Sequence, residues 1–246
     1  MAGEPGYRPY APLFVLKPWA KSIWTVDGAE VRYGFGPLQV PCPTRMTVIR
    51  YGDGSLFVHS PVALSLELTA DLSDLGKVAA LIAPNRNHFV SLASWADAFP
   101  SADIYAAPGL AGKSGIPAHT TLTKGLSAPW LDEIDHVPLD LGTFTESVFF
   151  HRSSRTLIVT DLMMNYEGER VRSPLMRLFL RLGGATGPRG NPSIDMRMAL
   201  RPHSEALKAG LEAMIALEPE RLILAHGKCY EGDAVAEIER AFSDLL

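Results

Sequence analysis

The sequence has few cysteines, no long apolar run and no excess of basic charge. Its 246 residues include two cysteines, Cys42 and Cys229, with no C-x-x-C spacing, which excludes a disulfide framework and a zinc knuckle. No stretch approaches the ~20 apolar residues of a membrane span, and the N-terminus lacks the long apolar core of a signal peptide. The net charge of -4 gives no electrostatic footprint for nucleic acid. We therefore expect a cytoplasmic protein whose partners include neither a membrane nor a nucleic acid.

Three common catalytic signatures are also missing. The sequence contains no G-x-S-x-G elbow, no G-x-x-x-x-G-K-[ST] loop and no G-x-G-x-x-G turn. The stretch GGATGPRG, residues 183–190, does not follow a strand and open a helix, so we interpret it as a mobile loop and not as a phosphate-binding loop. The densest basic group, Arg170, Arg172, Arg177 and Arg181, is interpreted as the solvated face of a helix.

What is present is a succession of apolar strands and amphipathic helices. Residues 1–44 are predicted to be an N-terminal extension packed on a main domain of residues 45–246. This extension is rich in proline and glycine and has short strand-like pieces at 23–26, 30–32 and 37–40. Residues 46–51 and 55–59 flank a Gly-Asp-Gly turn and predict a hairpin. Further strands are predicted at 78–83, 103–106, 134–138, 147–151, 156–160 and 221–225, and helices at 71–76, 90–98, 173–182, 202–217 and 233–246. This order fits a four-layer α/β/β/α sandwich, although periodicity alone does not choose it over other mixed folds.

Four of the predicted strands end in polar side chains. They are the ends "VHSP" with His59 and Ser60, "APNRNH" with Asn85, Asn87 and His88, "LIVTDLMMN" with Asp161 and Asn165, and "LILAHGK" with His226 and Lys228. Each lies where the chain turns out of a sheet. If these ends share one rim, they form a concave polar site of the kind that binds ligands.

At these positions the sequence resembles the metallo-β-lactamase superfamily. "SVFFHRSSRTLIVTDLMMN" is similar to the strand pair that ends in a metal-bridging aspartate, here Asp161, and "RLILAHG" is similar to the late strand that ends in a ligand histidine, here His226. "LIAPNRNHF" lies where the superfamily carries its H-x-H-x-D-H loop, and "MTVIRYGDGSLFVHSP" matches its opening strands. The P-N-x-x-H, Asp-Leu and His-Gly landmarks resemble a branch described as a domain of unknown function. The resemblance covers about residues 45–240 and implies the αββα fold and metal-dependent hydrolysis.

The sequence departs from the superfamily pattern at most of the ligand positions. Asn85 and Asn87 stand at the first two histidine positions of the loop, Phe89 at its aspartate and Val90 at its last histidine, and Thr143 stands where a later histidine is expected. Asparagine binds zinc weakly, and phenylalanine and valine cannot ligate. The resemblance therefore implies the loss of one of two metal sites.

A single site built from His88, Asp161 and His226 would have the 2-His-1-carboxylate ligand set. It would hold one zinc or iron ion, or no metal if His88 points elsewhere. In that set we expect Asp161 and His88 to be the catalytic residues. Asp161 ends an apolar strand, where an unpaired carboxylate is costly, so it needs a metal, a histidine or backbone N–H groups as partner.

Simpler interpretations compete with a site role for each of these side chains. His88 could be a helix-start histidine bonded to backbone, and His59 could belong to a turn with Ser60 and Pro61. The asparagines Asn85, Asn87 and Asn165 are predicted to contact a ligand, but asparagine commonly satisfies loop backbone.

Two functions of different classes follow. One is a metal-dependent hydrolase with at most one metal ion, acting on a small ester, lactone, amide or thioester. The other is a catalytically inactive protein of the same fold that binds a small ligand or a partner protein, in which Asp161 and His226 are a leftover hydrogen-bonded pair. The sequence does not decide whether the protein is an enzyme.

Overall fold

The computed structural model describes residues 6–35, 38–142 and 144–245, which build two β-sheets with helices. The first sheet has seven strands in sequence order. These are β1 (Lys17–Ala20), β2 (Ile23–Phe35), β3 (Leu38–Tyr51), β4 (Ser55–His59), β5 (Lys77–Ala83), β6 (Asp103–Ala106) and β7 (Thr120–Thr121). The second sheet has the order β11-β10-β9-β8. Its strands are β8 (Ile134–Leu141), β9 (Phe144–His151), β10 (Thr156–Val159) and β11 (Arg221–Leu224).

Seven α-helices accompany the sheets in the described part of the chain. They are α1 (Leu66–Leu75), α2 (Leu92–Ala98), α3 (Leu110–Ser114), α4 (Pro174–Leu182), α5 (Ile194–Leu200), α6 (Ser204–Ala216) and α7 (Ala234–Phe242). The start of α4 is where its sequence places it, because the Ser173 side chain accepts a hydrogen bond from the Met176 N–H and Pro174 occupies the first turn. None of the helices in the described ranges is long and apolar enough to cross a membrane.

The core is arranged in layers that correspond to the predicted αββα sandwich. Between the sheets, aromatic and aliphatic side chains of β3, β4 and β5 meet those of β9, β10 and β11, with Phe57 and Phe149 packed edge to face. On its other face the first sheet is covered by side chains that include Trp95 of α2, and the second sheet by α6 and α7. Burial of apolar area on both faces of each sheet is the main favourable term for this architecture.

The N-terminal strands are longer than the sequence pattern indicated. The pieces predicted at 23–26 and 30–32 are parts of one strand, β2, which pairs antiparallel with β3 and contains a register shift between Gly28 and Val31. Of the piece predicted at 37–40, residue 37 lies outside the described residues. The boundary drawn between residues 44 and 45 falls inside β3, and the strand runs through it without interruption. Residues 17–44 therefore contribute strands to the first sheet.

Two parallel pairings bring the polar strand ends to one edge of the sandwich. Strand β4 pairs parallel with β5 in the first sheet, and β10 pairs parallel with β11 in the second. A bridge between Asn85, just after β5, and Glu146 of β9 joins the two sheets at this edge. Because the carboxyl ends of parallel strands lie at the same edge, the segments that follow these four strands meet.

Candidate metal centre

Three side chains from three different strand ends converge on one point. His226 Nε2 lies 3.1 Å from Asp161 Oδ1 and 3.2 Å from His88 Nε2, and His88 Nε2 lies 3.3 Å from Asp161 Oδ1. Ligands at the zinc–nitrogen and zinc–oxygen distances of about 2.0–2.1 Å are separated by about 3.3–3.4 Å in tetrahedral geometry. The triangle of these three atoms, with edges of 3.1, 3.2 and 3.3 Å, is close in size to one face of such a coordination sphere and slightly smaller. It is the one group of potential ligands of this kind found in the described ranges.

The orientation of His226 is fixed by a backbone carbonyl. Its Nδ1 lies 2.8 Å from the carbonyl oxygen of Pro43, and that oxygen can only accept a hydrogen bond, so Nδ1 carries a proton. In the neutral ring, Nε2 then presents a lone pair toward Asp161 Oδ1, which also has only lone pairs. This contact is favourable only when a positive charge, either a proton or a metal ion, lies between the two atoms.

The pKa values at the centre show the same preference for positive charge. Burial would raise the pKa of Asp161, but the charges and hydrogen bonds of His88 and His226 outweigh it and hold that pKa well below its usual range. Burial would lower the pKa of His226, but the adjacent Cys42 sulfur and the Asp161 carboxylate raise it well above its usual value. The centre thus stabilises a carboxylate together with a cation beside it.

The loop asparagines bind the Asp161 carboxylate at the oxygen that is not in the ligand triangle. The amide groups of Asn85 and Asn87 donate to Asp161 Oδ2 over 3.0 Å and 3.1 Å, which leaves Oδ1 for the centre. The other end of the Asn85 amide is also occupied, because its Oδ1 accepts the backbone N–H groups of Asn87 and His88. Asn87 Oδ1 accepts from Lys113. Both asparagines are thus part of the centre through Asp161, and neither is a member of the ligand triangle.

His88 is held on its outer side by Ser60. The serine Oγ lies 2.5 Å from His88 Nδ1, so the ring nitrogen that faces away from the centre has a polar partner. Ser60 follows β4 in a left-handed backbone conformation with φ 55°, and its N–H donates to the carbonyl of Ile82. The sequence analysis named Ser60 among the polar residues of this strand end, with a turn as the simpler interpretation, and did not identify it as a partner of His88.

A second residue that the sequence reasoning missed is Glu146. Its buried carboxylate accepts the backbone N–H groups of Thr160, Asp161 and Leu162 over 2.8, 2.8 and 3.0 Å. Burial and then the charge of Asp161 raise the pKa of Glu146, while the hydrogen bonds from Thr160 lower it. The signal in the sequence was an acid in the apolar strand "TESVFFH", where a carboxylate needs dedicated partners. Glu146 fixes the turn that carries Asp161.

His59 and Asn165 lie beside the ligand triangle and are not members of it. His59 is buried with its ring edge on Phe149, and its Nε2 has no hydrogen-bond partner among the described residues. Burial first and the neighbouring His88 second lower its pKa to about 3, so the ring is neutral at physiological pH. Asn165 donates from its side chain to the carbonyl of Lys228, and its backbone bonds to His226 and Lys228. Asn165 therefore clamps the turn that presents His226.

Gly227 makes this clamp possible. It has a positive φ of 100°, and a Cβ atom at this position would lie 2.0 Å from the carbonyl oxygen of Asn165. No other residue fits so close to that backbone. The His-Gly pair noted in the sequence is therefore a packing requirement of the turn after β11.

The positions predicted to have lost a second metal site have no ligating side chains. Phe89 packs against the core beneath the first sheet, and Val90 is exposed. Thr143, which stands at a further ligand position of the superfamily pattern, lies outside the described residues.

Comparison with known proteins identifies a family and a fold. The sequence profile of the family described as "Domain of unknown function (DUF4336)" matches residues 20–173. No curated protein matches the chain.

Solved structures with low sequence identity share the fold. The DIM-1 metallo-β-lactamase superposes with a TM-score of 0.61 at 16% identity, over 96% of this chain and 99% of that chain. The metallo-β-lactamase from Hirschia baltica gives 0.55 at 13% identity, over 94% and 96% of the two chains. The Flv1 flavodiiron core from Synechocystis sp. PCC6803 gives 0.61 at 13% identity, over 98% of this chain and 61% of that one. The protein thus belongs to the DUF4336 family and has the metallo-β-lactamase fold.

Proposed function

We propose that this protein is a metal-dependent hydrolase with a single metal site formed by His88, Asp161 and His226. The observation that carries the proposal is the ligand triangle, in which the protonated Nδ1 of His226 leaves Nε2 and Asp161 Oδ1 facing each other at 3.1 Å. Two imidazoles and one carboxylate are a ligand set that suits zinc or ferrous iron. Three protein ligands leave a coordination position for water.

Each ligand has its own supporting contact, as expected for a metal centre. Pro43 orients His226, Ser60 orients His88, and the two loop asparagines orient Asp161. Such outer contacts set the tautomer and direction of the ligating atoms in metalloproteins. An accidental cluster of polar residues would not need a separate partner behind every member.

The same contacts support the proposal of one metal and not two. Asn85 uses both ends of its amide, toward Asp161 and toward the backbone of the loop. Asn87 also uses both ends, toward Asp161 and Lys113. Phe89 and Val90 offer no ligand atom. A second ion would have no side chains of this loop to bind.

A bound metal would lower the pKa of its water so that hydroxide forms at neutral pH. The residues of the chain would keep Asp161 ionised and hold both histidines in the ligating orientation. Water attack of this kind suits a small ester, lactone, amide or thioester, and these are the substrates we propose.

A second candidate is a ligand-binding protein without catalysis. It is favoured by the short contact between His226 and Asp161, because a protonated His226 would close the centre as an ion pair without any metal. In that case no metal is retained and the rim binds a small molecule or another protein.

Metal analysis of protein purified without chelator distinguishes the two. We expect about one equivalent of zinc or iron per chain, with loss of the metal and of p-nitrophenyl ester hydrolysis in His88→Gln, Asp161→Asn and His226→Gln. His203→Gln is the matched control, because this histidine lies at the start of α6, outside the ligand group. Less than about a tenth of an equivalent, with no uptake of added metal, contradicts the proposal.

A further inference from the structure

Helix α4 presents an apolar stripe to solvent. Leu175 and Leu182 are 77% and 75% exposed, and Leu178 and Phe179 between them are 53% and 44% exposed. These positions follow the i, i+3, i+4, i+7 spacing, which places them on one face of a helix. In a surface helix that face normally points to the core. Here the core contact of α4 is made by Leu180 and Met176 on the other side.

The stripe continues onto the next helix. Ile194 at the start of α5 donates its N–H to the carbonyl of Gly183, the residue that ends α4. Ile194 and Met198, one helical turn apart, are 56% and 68% exposed. We refer to Leu175, Leu178, Phe179, Leu182, Ile194 and Met198 as the α4–α5 patch. Contiguous exposed apolar side chains of this kind mark an interaction surface.

The segment that carries the patch is strongly basic in an acidic protein. Residues 170–201 contain seven arginines and one acid, Asp195, whereas the whole chain has a net charge of -4. Three of these arginines are paired outside the segment, with Glu167, Glu237 and Asp244. Arg181 and Arg201 are exposed, and no acidic partner for either is found within the described ranges.

We propose that the α4–α5 patch docks on the surface of an anionic lipid bilayer. Leucine and phenylalanine side chains of an exposed helix bury themselves at the boundary of headgroups and acyl chains, while flanking arginines bind lipid phosphates. Such a contact lies in the plane of the membrane surface and requires no spanning helix. It departs from the expectation of the sequence analysis that no membrane is a partner, because that expectation was based on the lack of a spanning segment.

The charge of the patch argues against a second copy of this chain as the occupant. In a twofold symmetric dimer the same surface contacts itself, so the interface would gather Arg181 and Arg201 of both copies with no added acidic side chain from the patch to neutralise them. An anionic bilayer offers complementary charge and accommodates a protruding helix without a matching groove. An acidic partner protein would need both the complementary negative charge and a groove shaped to receive helix α4.

Vesicle co-sedimentation of the full chain tests the proposal. We expect binding to vesicles in which about a third of the phosphatidylcholine is replaced by phosphatidylglycerol, weakening with salt, and little binding to phosphatidylcholine alone. Arg181→Gln and Arg201→Gln should each weaken binding about fivefold, and Leu178→Gln with Leu182→Gln more than about tenfold. Leu66→Gln, on the exposed start of α1, and Lys124→Gln are matched controls that should bind like the unaltered protein.

Four outcomes overturn the proposal. The first is no binding to either vesicle, and the second is equal binding to charged and neutral vesicles. The third is loss of binding in the control variants as well. The fourth is a dimer in lipid-free solution that dissociates in the Leu178→Gln, Leu182→Gln variant, which would assign the patch to a second copy.

Discussion

The carbonyl oxygen of Pro43 accepts a hydrogen bond from His226 Nδ1 over 2.8 Å, and this contact decides which nitrogen of the ring faces the centre. The two residues lie 183 positions apart in the sequence, in β3 and just after β11. The carbonyl acts as the outer partner that a metal-bound histidine commonly has.

This tautomer is directly observable by nitrogen-15 NMR of the histidine rings. We expect Nδ1 of His226 to carry a proton both before and after zinc is added, and Nε2 to change its chemical shift strongly on zinc addition. His119, whose Nδ1 accepts a hydrogen bond from the Ile104 N–H, serves as an internal reference that zinc should leave unchanged. A strong zinc-induced shift at Nδ1 of His226 in place of Nε2 would show that the ring binds zinc through Nδ1.

Replacement of Ser60 by alanine should weaken metal binding while the fold stays intact. Without the hydroxyl 2.5 Å from Nδ1, the ring of His88 loses the contact that directs Nε2 to the centre. Loss of such an outer contact typically costs about 10–100-fold in metal affinity, measurable by competition with a chromogenic chelator. Ser94→Ala, which removes an exposed helix hydroxyl, is the control. Unchanged affinity with abolished turnover would instead identify Ser60 as a nucleophile.

The two loop asparagines should differ in their effect on stability. Asn85 is buried and its amide donates to Asp161, Thr160 and Glu146, so Asn85→Ala leaves two buried carboxylates short of a donor. We expect the free energy of unfolding in urea to fall by about 2–4 kcal/mol. Asn87→Ala should cost less than about 1 kcal/mol, because Asn87 is exposed. Equal losses for both variants would contradict the assigned contacts.

Acid should destabilise the protein partly through His136. Burial lowers the pKa of His136 from 6.5 to about 4, so the folded protein binds its proton less readily than the unfolded chain. Neutral His136 therefore contributes its full stabilisation above pH 6.5. The free energy of unfolding falls by about 2–3 kcal/mol as the pH falls toward 4. His136→Gln keeps a hydrogen-bonding side chain near Ser147 and should flatten the decline of unfolding free energy in this pH range. An unchanged dependence of the unfolding free energy on pH would show that other titrating groups cause the decline.

The sequence pattern predicted elements whose signals are local. The buried strands, the hairpin of β3 and β4 and the capped start of α4 need only periodicity, a turn or a capping residue, and they are found close to the predicted places. Helix α5 was missed because the prolines and glycines before it favoured a loop. The continuity of β2 and β3 was missed because each strand is stabilised by its neighbour in the sheet.

In the candidate site, too, residues with a local sequence signal could be predicted and residues that depend on distant partners could not. Asp161 and His226 follow apolar strands and carry recognisable landmarks, so their convergence could be anticipated. The contacts of Ser60 and Glu146 could not, because their partners lie 28 and 14–16 residues away and depend on how the two sheets meet. An outer partner that is a backbone carbonyl, as in Pro43, has no side-chain signature at all.

The contact between Pro43 and His226 also makes the centre depend on pairing between distant parts of the chain. Arg45, in the same strand as Pro43, donates to the carbonyl oxygens of Leu224 and Gly227, on either side of His226. The ligand triangle is therefore oriented by contacts that join a strand near the start of the chain to one near its end. Since metal binding needs all three ligands in place, metal uptake would report that these distant strands are paired through Pro43, Arg45 and the turn of His226.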